Sequence, residues 1–208
     1  MDLDEARTRI LDAAEKLFYD RGIQAVGMDE LRTAAGVSLK RLYQCFPAKH
    51  DLVEAYLRRR DTRWRAALAE YVDAHADGPA DRPLAVFDWL GERFAEDGFR
   101  GCAFGHAYGE LGATSDRVGR VAREHKEALL GYVVSLVRAV PVGEPESLAR
   151  QLVLLIDGAI AGAALMSEPG AARQARTAAA ALMAAAGSAT GTGVVCNGTR
   201  WHKSSKTD

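Results

Sequence analysis

Apolar side chains recur with helical period along almost the whole chain. Ile10, Ala14, Leu17 and Phe18 stand at i, i+4, i+7 and i+8, with Arg9, Asp12, Glu15 and Lys16 between them. No sustained two-residue alternation is present, so strands are not expected. The six prolines, Pro47, Pro79, Pro83, Pro141, Pro145 and Pro169, fall between apolar-periodic runs and punctuate helices rather than interrupt them. The expected fold is all-α, with about nine helices at roughly 4–20, 28–35, 39–45, 49–75, 82–97, 103–112, 116–139, 146–166 and 170–186. With 208 residues, 48% of them hydrophobic, the chain can bury a substantial core in one or two domains.

Charge is nearly balanced overall, at −1, which excludes a chain coated in positive charge for general nucleic-acid binding. It is unevenly placed. Residues 32–65 hold nine Arg or Lys against three acids, whereas residues 66–186 hold eleven basic and sixteen acidic side chains. A basic N-terminal segment therefore sits on an acidic body. The three cysteines, Cys45, Cys102 and Cys196, form neither a disulfide framework nor a zinc spacing and suit a reducing compartment. The N-terminus has no apolar signal region, and the apolar stretch Leu152 to Met166 is shorter than the ~20 residues a bilayer span needs. A cytoplasmic protein with no membrane partner is expected. From Gly187 onward the chain is rich in Gly, Ser and Thr without periodicity and reads as a flexible tail over 187–208. Its Asn197-Gly198-Thr199 sequon is read as chance, and Trp201, His202 and Lys203 as parts of an unstructured end.

Residues 27–46, GMDELRTAAGVSLKRLYQCF, carry the chemistry. Met28, Leu31 and Ala35 give a first short helix its buried face, and Asp29 and Glu30 occupy its first turn, where the helix dipole favours acids. Gly36 follows as a left-handed cap, Val37 plugs the gap, and Ser38 caps a second helix. Leu42 and Phe46 face inward, which leaves Leu39, Lys40, Arg41, Tyr43 and Gln44 outward. This is a helix-turn-helix whose second helix presents its N-terminal turn to a DNA major groove. Lys and Arg donate to guanine or phosphate, Gln to adenine or phosphate, and the Tyr43 hydroxyl to phosphate. Lys49 opens the next helix, where its charge and free backbone N–H groups can receive a phosphate. A plain helical hairpin with a solvated basic face is the competing reading.

Residues 4–64 resemble the N-terminal domain of TetR-family transcriptional regulators, through RTRILDAAEKLFYDRG, GMDELRTAAGVS and LKRLYQCFPAKHDLVEAYL. RGCAFGHAYGEL, Arg100–Leu111, also looks like a segment recurring in part of that family. The chain departs from the common pattern at Gly27, where Thr or Ser is usual, at Leu39-Lys40-Arg41, and at Cys45, where His is common. The resemblance implies a DNA-binding domain over 4–64, a ligand-binding and dimerisation domain over 65–186, and a homodimer on a palindromic double-stranded operator. It further implies release of the operator when a small molecule binds. The residues expected to meet DNA are Gly27, Thr33, Ser38, Leu39, Lys40, Arg41, Tyr43, Gln44 and Lys49.

The larger domain is read for its pocket and its interface. Trp64, Phe87, Phe94, Cys102, Phe104, His106, Tyr108 and Asp157 are expected to line a mostly apolar ligand site. Cys102, His106 and Glu110 are four residues apart and share a helical face, but further ligands at a recognisable spacing are missing, so neither a metal nor another cofactor is expected. Asp157 interrupts an apolar run and reads as a buried carboxylate that points into the pocket, bonds a backbone group or pairs across a dimer, with surface exposure the competing reading. Arg58, Arg59 and Arg60 read either as a solvated face or as phosphate-steering groups. Fourteen alanines among residues 159–186 allow close helix approach, which places the dimer contact on helices 146–166 and 170–186. An enzyme is disfavoured, because no phosphate loop, nucleophile elbow or paired-histidine motif occurs. A helical adaptor using its basic face on an acidic protein is the alternative.

Overall fold

The computed structural model describes residues 2–188, and among these are nine α-helices and no strand. In chain order they are α1 (Leu3–Arg21), α2 (Met28–Ala35), α3 (Leu39–Cys45), α4 (Lys49–His75), α5 (Arg82–Ala95), α6 (Ala103–Leu111), α7 (Asp116–Arg138), α8 (Pro145–Leu165) and α9 (Ala171–Ser188). The all-α architecture expected from periodicity is the one observed. Pro83 and Pro145 occupy the first turns of α5 and α8, where a missing N–H costs nothing. Helix α9 extends two residues into the segment read as tail. Cys196, the Asn197 sequon, Trp201, His202 and Lys203 lie outside the described residues.

The apolar stripes pack into two cores. The first gathers α1, α2 and α3 around Ile10, Phe18, Leu31, Leu42 and Phe46, and continues without a break into Phe104 and Ala107 of α6 and Val118 and Val121 of α7. The second joins α5, the C-terminal half of α7, α8 and α9. Helix α4 serves both, burying Leu52, Val53, Tyr56 and Leu57 in the first and Leu68 and Val72 in the second. At about 25 cal/mol per Å2, such side chains each contribute roughly 1.5–3 kcal/mol when fully buried. Together they weld the long helix to both halves.

Helix α8 alters one expectation. It has 21 residues, so by length and composition it is long and apolar enough to cross a membrane, although the apolar stretch within it is shorter. In this fold it packs against α7 and α9 through Leu148, Leu152, Ile156 and Ala159. It is apolar nearly all round because it also shows Leu154 and Leu165 outward, 72% and 83% exposed.

The turn after α1 needs glycine. Gly22 adopts φ +89° and ψ 154°, a region essentially closed to L side chains, and a Cβ there would stand 3.2 Å from both carboxylate oxygens of Glu110. Gly22→Ala is expected to destabilise the protein by about 1–3 kcal/mol. Urea unfolding followed by circular dichroism measures this, and an unchanged midpoint would contradict the assignment.

Candidate functional site

The helix-turn-helix is built as its residue order dictates. Gly36 takes the left-handed conformation at φ +65°, and its N–H bonds the carbonyls of Arg32 and Thr33. Val37 is buried behind the turn. Ser38 accepts a hydrogen bond from the Arg41 N–H at 3.2 Å and so starts α3. Leu42 is fully buried beneath α3, which leaves Leu39, Lys40, Tyr43 and Gln44 exposed and Arg41 half-buried. Gly27 caps α2 without a side-chain bond, and the Thr33 hydroxyl donates to the Asp29 carbonyl at 2.9 Å. Neither Lys40 nor Arg41 has an ion-pair or hydrogen-bond partner for its side chain among the described residues.

Other basic residues of this segment are engaged within the chain. Arg59 pairs with Asp12 at 2.9 Å and Glu15 at 3.0 Å, while Arg60 and Arg63 reach Glu15 at 3.3 and 3.2 Å. Arg60 also lies over the Tyr19 ring at 4.1 Å. Arg58 bridges Glu54 and Glu124 at 3.2 and 2.9 Å. These arginines tie α4 to α1 and α7. Lys49 is half-buried, with its ammonium 5.9 Å from the Phe18 ring centroid. Burial lowers its pKa, and nearby Glu110 partly opposes the shift. Lys49 borders an open cleft of ≈ 680 Å3 between the start of α4 and the start of α7.

Helix α6 holds the helix-turn-helix unit from behind. The Glu110 carboxylate accepts from the backbone N–H groups of Ile23 and Gln24 at 2.9 and 2.8 Å, and the Gln24 amide donates to the Glu110 carbonyl at 2.7 Å. At the other end of α6, the Tyr19 hydroxyl donates to the Gly101 carbonyl at 3.0 Å and accepts from the Arg100 N–H at 2.9 Å. Arg117 on α7 adds a pair to Asp51 at 2.8 Å.

A second candidate site lies between α4, α5, α6 and α7, with Ile160 of α8 at its edge. Of the residues expected there, Trp64, Phe94, Cys102 and Phe104 come together around a cavity of ≈ 40 Å3. The others do not join them. Phe87 is buried in the second core. His106 is exposed and stacks on Tyr19, with ring centroids 6.5 Å apart. Tyr108 is 58% exposed beside a shallow surface groove, because α6 turns that face outward. Asp157 is half-buried and does not line the cavity itself; it pairs with Lys126 of the same chain, which does. The stripe of Cys102, His106 and Glu110 is also dispersed. Cys102 precedes α6 and caps it, its Sγ accepting from the Gly105 N–H at 3.3 Å, while Glu110 turns to Ile23. Among the described residues no group of three His, Cys, Asp or Glu side chains is placed to hold a metal ion.

The sequence reading missed His125, the buried polar side chain of this pocket, 4% exposed. Its Nδ1 is 2.7 Å from Asp61, its ring stacks on Phe104 at 3.7 Å, and Trp64 meets it edge-on at 5.4 Å. A signal for it was present: His125 continues the buried series Val118, Val121, Ala122, Leu129 and Val133 on α7, a core position filled by an imidazole. Asp61 lies 64 residues away in sequence, and only the fold brings it there.

The fold and the helix-turn-helix define a helical DNA-binding transcriptional regulator with a separate internal cavity. Residues 10–56 match the family model described as bacterial regulatory proteins, tetR family. A TetR-family transcriptional regulator from Streptomyces coelicolor superposes with a TM-score of 0.81 at 30% identity, covering 88% of this chain and 97% of that one. A TetR-type regulator from Streptomyces avermitilis gives 0.74 at 32% identity, covering 87% and 97%. The chain belongs to the TetR family of transcriptional regulators, which are not enzymes. It is also 50% identical over 56 residues to the HTH-type transcriptional activator FasR of Mycolicibacterium smegmatis, a match spanning 27% of this chain and 26% of FasR. An HTH-type regulator of Mycobacterium tuberculosis matches at 45% over 80 residues, 38% of this chain and 39% of its own length. The matched segment thus spans under half the length of these curated relatives.

The His125–Asp61 pair gives stability a pH dependence. Burial lowers the His125 pKa, with the Asp61 hydrogen bond and charge opposing. Burial pushes the Asp61 carboxyl up, and hydrogen bonds from Arg65 and His125 outweigh it, so the net value falls. Both groups bind fewer protons folded than unfolded at a given pH. The His125 contribution is full above the ordinary histidine range near 6.5 and declines as pH falls through it, levelling off below the folded value. The Asp61 contribution is full above the ordinary carboxylate range and is lost as pH falls to its folded value. Melting temperature should therefore drop between pH 7 and pH 5. His125→Asn, which keeps a donor for Asp61, should melt lower at pH 7.5 and flatten that drop; an unchanged slope would remove His125 as its source.

Proposed function

We propose that the chain is a homodimeric repressor that reads a palindromic operator with α3 and leaves it when a small, largely apolar molecule enters the cavity between α4, α5, α6 and α7. On this reading residues 4–64 are the DNA-binding domain and residues 65–186 the ligand-binding and dimerisation domain. The observation that carries it is the first turn of α3. Lys40 and Arg41 stand there without partners while Arg58, Arg59, Arg60 and Arg63 are all ion-paired inside the chain. A Lys and an Arg left free at the N-terminus of an exposed recognition helix suit base edges, and the exposed Tyr43 hydroxyl suits a phosphate. Phosphate contact by Lys49 requires its side chain to swing away from Phe18.

The dimer reading is supported by the outward apolar side chains Leu154, Leu165 and Met166 at α8 and the turn after it, beside the alanine-rich α9. Coupling is supported by α6. Cys102 and Phe104 border the cavity at its start, and Glu110 holds the α1–α2 turn at its end. A displacement of α6 by ligand would be passed to the reading head.

Selection of bound sequences from random duplex DNA tests the reading. A motif of two inverted half-sites is expected, and absence of enrichment with ligand-free refolded protein would favour the adaptor. With that motif as probe, Lys40→Ala and Arg41→Ala should relax preference at particular base pairs by ~1–3 kcal/mol where the contact is bidentate. Tyr43→Phe should instead weaken binding to all sequences alike. Gel-shift titration against single-substitution operators separates these outcomes, and variants as discriminating as the parent would remove Lys40 and Arg41 as base readers.

A further inference from the structure

We propose that the molecule this cavity receives is an apolar organic acid, bound as its carboxylate by Lys126, His125 and Arg60. The inference rests on the reading of the cavity as an effector site and names the class of effector.

The cavity is lined on one side by apolar rings, Trp64, Phe94, Phe99 and Phe104 among them. Among the described residues its ionisable side chains are Arg60, Lys126, His125 and the Cys102 thiol, with no carboxylate in the lining. Each nitrogen-bearing group is held from outside by an acid. Glu15 holds Arg60 at 3.3 Å, Asp61 holds His125 at 2.7 Å, and Asp157 holds Lys126. Those acids orient the donors without using them up. An ammonium has three N–H donors and a guanidinium five, and an imidazole bonded through Nδ1 keeps Nε2, which donates once the ring is protonated. The acids are also shared. Glu15 is contacted by Arg59 and Arg63, and Asp61 by Arg65. The Glu15 carboxylate is thus divided among three guanidiniums and Asp61 between Arg65 and His125, so neither is committed to the cavity's donor alone.

An apolar body with one carboxylate matches both halves of this wall. The rings remove the body from water, and the anion meets charge-assisted donors in a poorly solvated site. The cavity at rest, ≈ 40 Å3, holds little more than water, so entry requires displacement of side chains. The Phe94–Phe99 pair, with centroids 4.8 Å apart at the end of α5 and the loop after it, is half-buried and is the part of the wall free to yield.

Binding is also linked to a proton. The charged groups acting on His125 are Asp61 and Arg65 from α4 and Lys126 beside it on α7, while Asp157 of α8 acts through Lys126, Arg60 of α4 shares the cavity, and Cys102, just before α6, contributes its thiol. In the free protein burial favours the neutral ring. A carboxylate at Nε2 favours the imidazolium, which then donates to Asp61 and to the ligand together. Acid binding therefore tightens as pH falls, by at most about tenfold per pH unit for one proton.

Two matched series test this on the full chain without DNA: decanoate, 1-decanol and decylamine, then 2-naphthoate and 2-naphthylamine. Binding is read by tryptophan fluorescence and by the thermal shift at pH 6 and pH 8. At least one acid is expected to bind about tenfold or more tightly than the uncharged or cationic molecule of the same body, and more tightly at pH 6. Lys126→Gln, at a side chain 36% exposed and with folding checked by its ligand-free melt, should abolish that preference while still binding 1-decanol. His125→Asn should remove the pH dependence. Equal binding of acid and alcohol, an acid preference that survives Lys126→Gln, or no binding by any of the five compounds overturns the carboxylate assignment. The parent reading is tested by the same compounds added to the operator complex. An acid that binds selectively yet leaves DNA affinity unchanged would overturn the effector role and keep the ligand class. An alcohol that releases DNA as well as the acid would do the reverse.

Discussion

Everything in this fold turns on the carboxylate of Glu110. Two backbone N–H groups at the α1–α2 turn have lost their helical partners, and one side chain from a helix 86 or more residues later satisfies both. Of the two, the Ile23 amide is partly buried, and one left unpaired there costs about 1–3 kcal/mol, so this contact fixes the spacing between the helix-turn-helix and α6 as well as linking them. It adds to the reason for glycine at position 22, where φ is +89° and a Cβ would crowd the carboxylate that the turn requires. The apolar core agrees with the hydrogen bonds, running from α1–α3 into α6 and α7 without a polar seam. The helix-turn-helix is therefore the exposed edge of a larger packed body.

Much of this was legible in the chain itself. Periodic apolar positions and proline placement give all nine helices within a few residues, because helix existence depends on local pattern. The Gly36–Val37–Ser38 order gives the turn, the buried plug and the cap, because each is a backbone requirement met by a particular residue type. The basic surplus at residues 32–65 was visible too, but not its disposition. Whether an arginine meets phosphate or glutamate depends on which helix lies opposite, and Glu15 on α1 engages three of them.

The cavity was the least legible part. Its aromatic residues were recognisable as a class, but not their depth along the helix: Phe87 and Phe94, seven apart on α5, both pack on the second core, and only Phe94, about 10 Å further along the axis, reaches the cavity wall. Tyr108 and His106 share a helix with buried Phe104 but face water, since α6 is a single layer with one covered side. The polar centre was hidden for the opposite reason. His125 sits where the pattern called for a hydrophobe, and its partner comes from another helix.

The internal pairing of the α4 arginines reaches beyond stability. Affinity for arbitrary DNA grows with the number of phosphates a protein neutralises, since each displaces condensed counterions. The α4 arginines, already paired with the chain's own glutamates and aspartates, add few such displacements. On the proposed reading, dwell on unrelated sequence is therefore short, and residence on a genome rests on the few unpaired groups of α3.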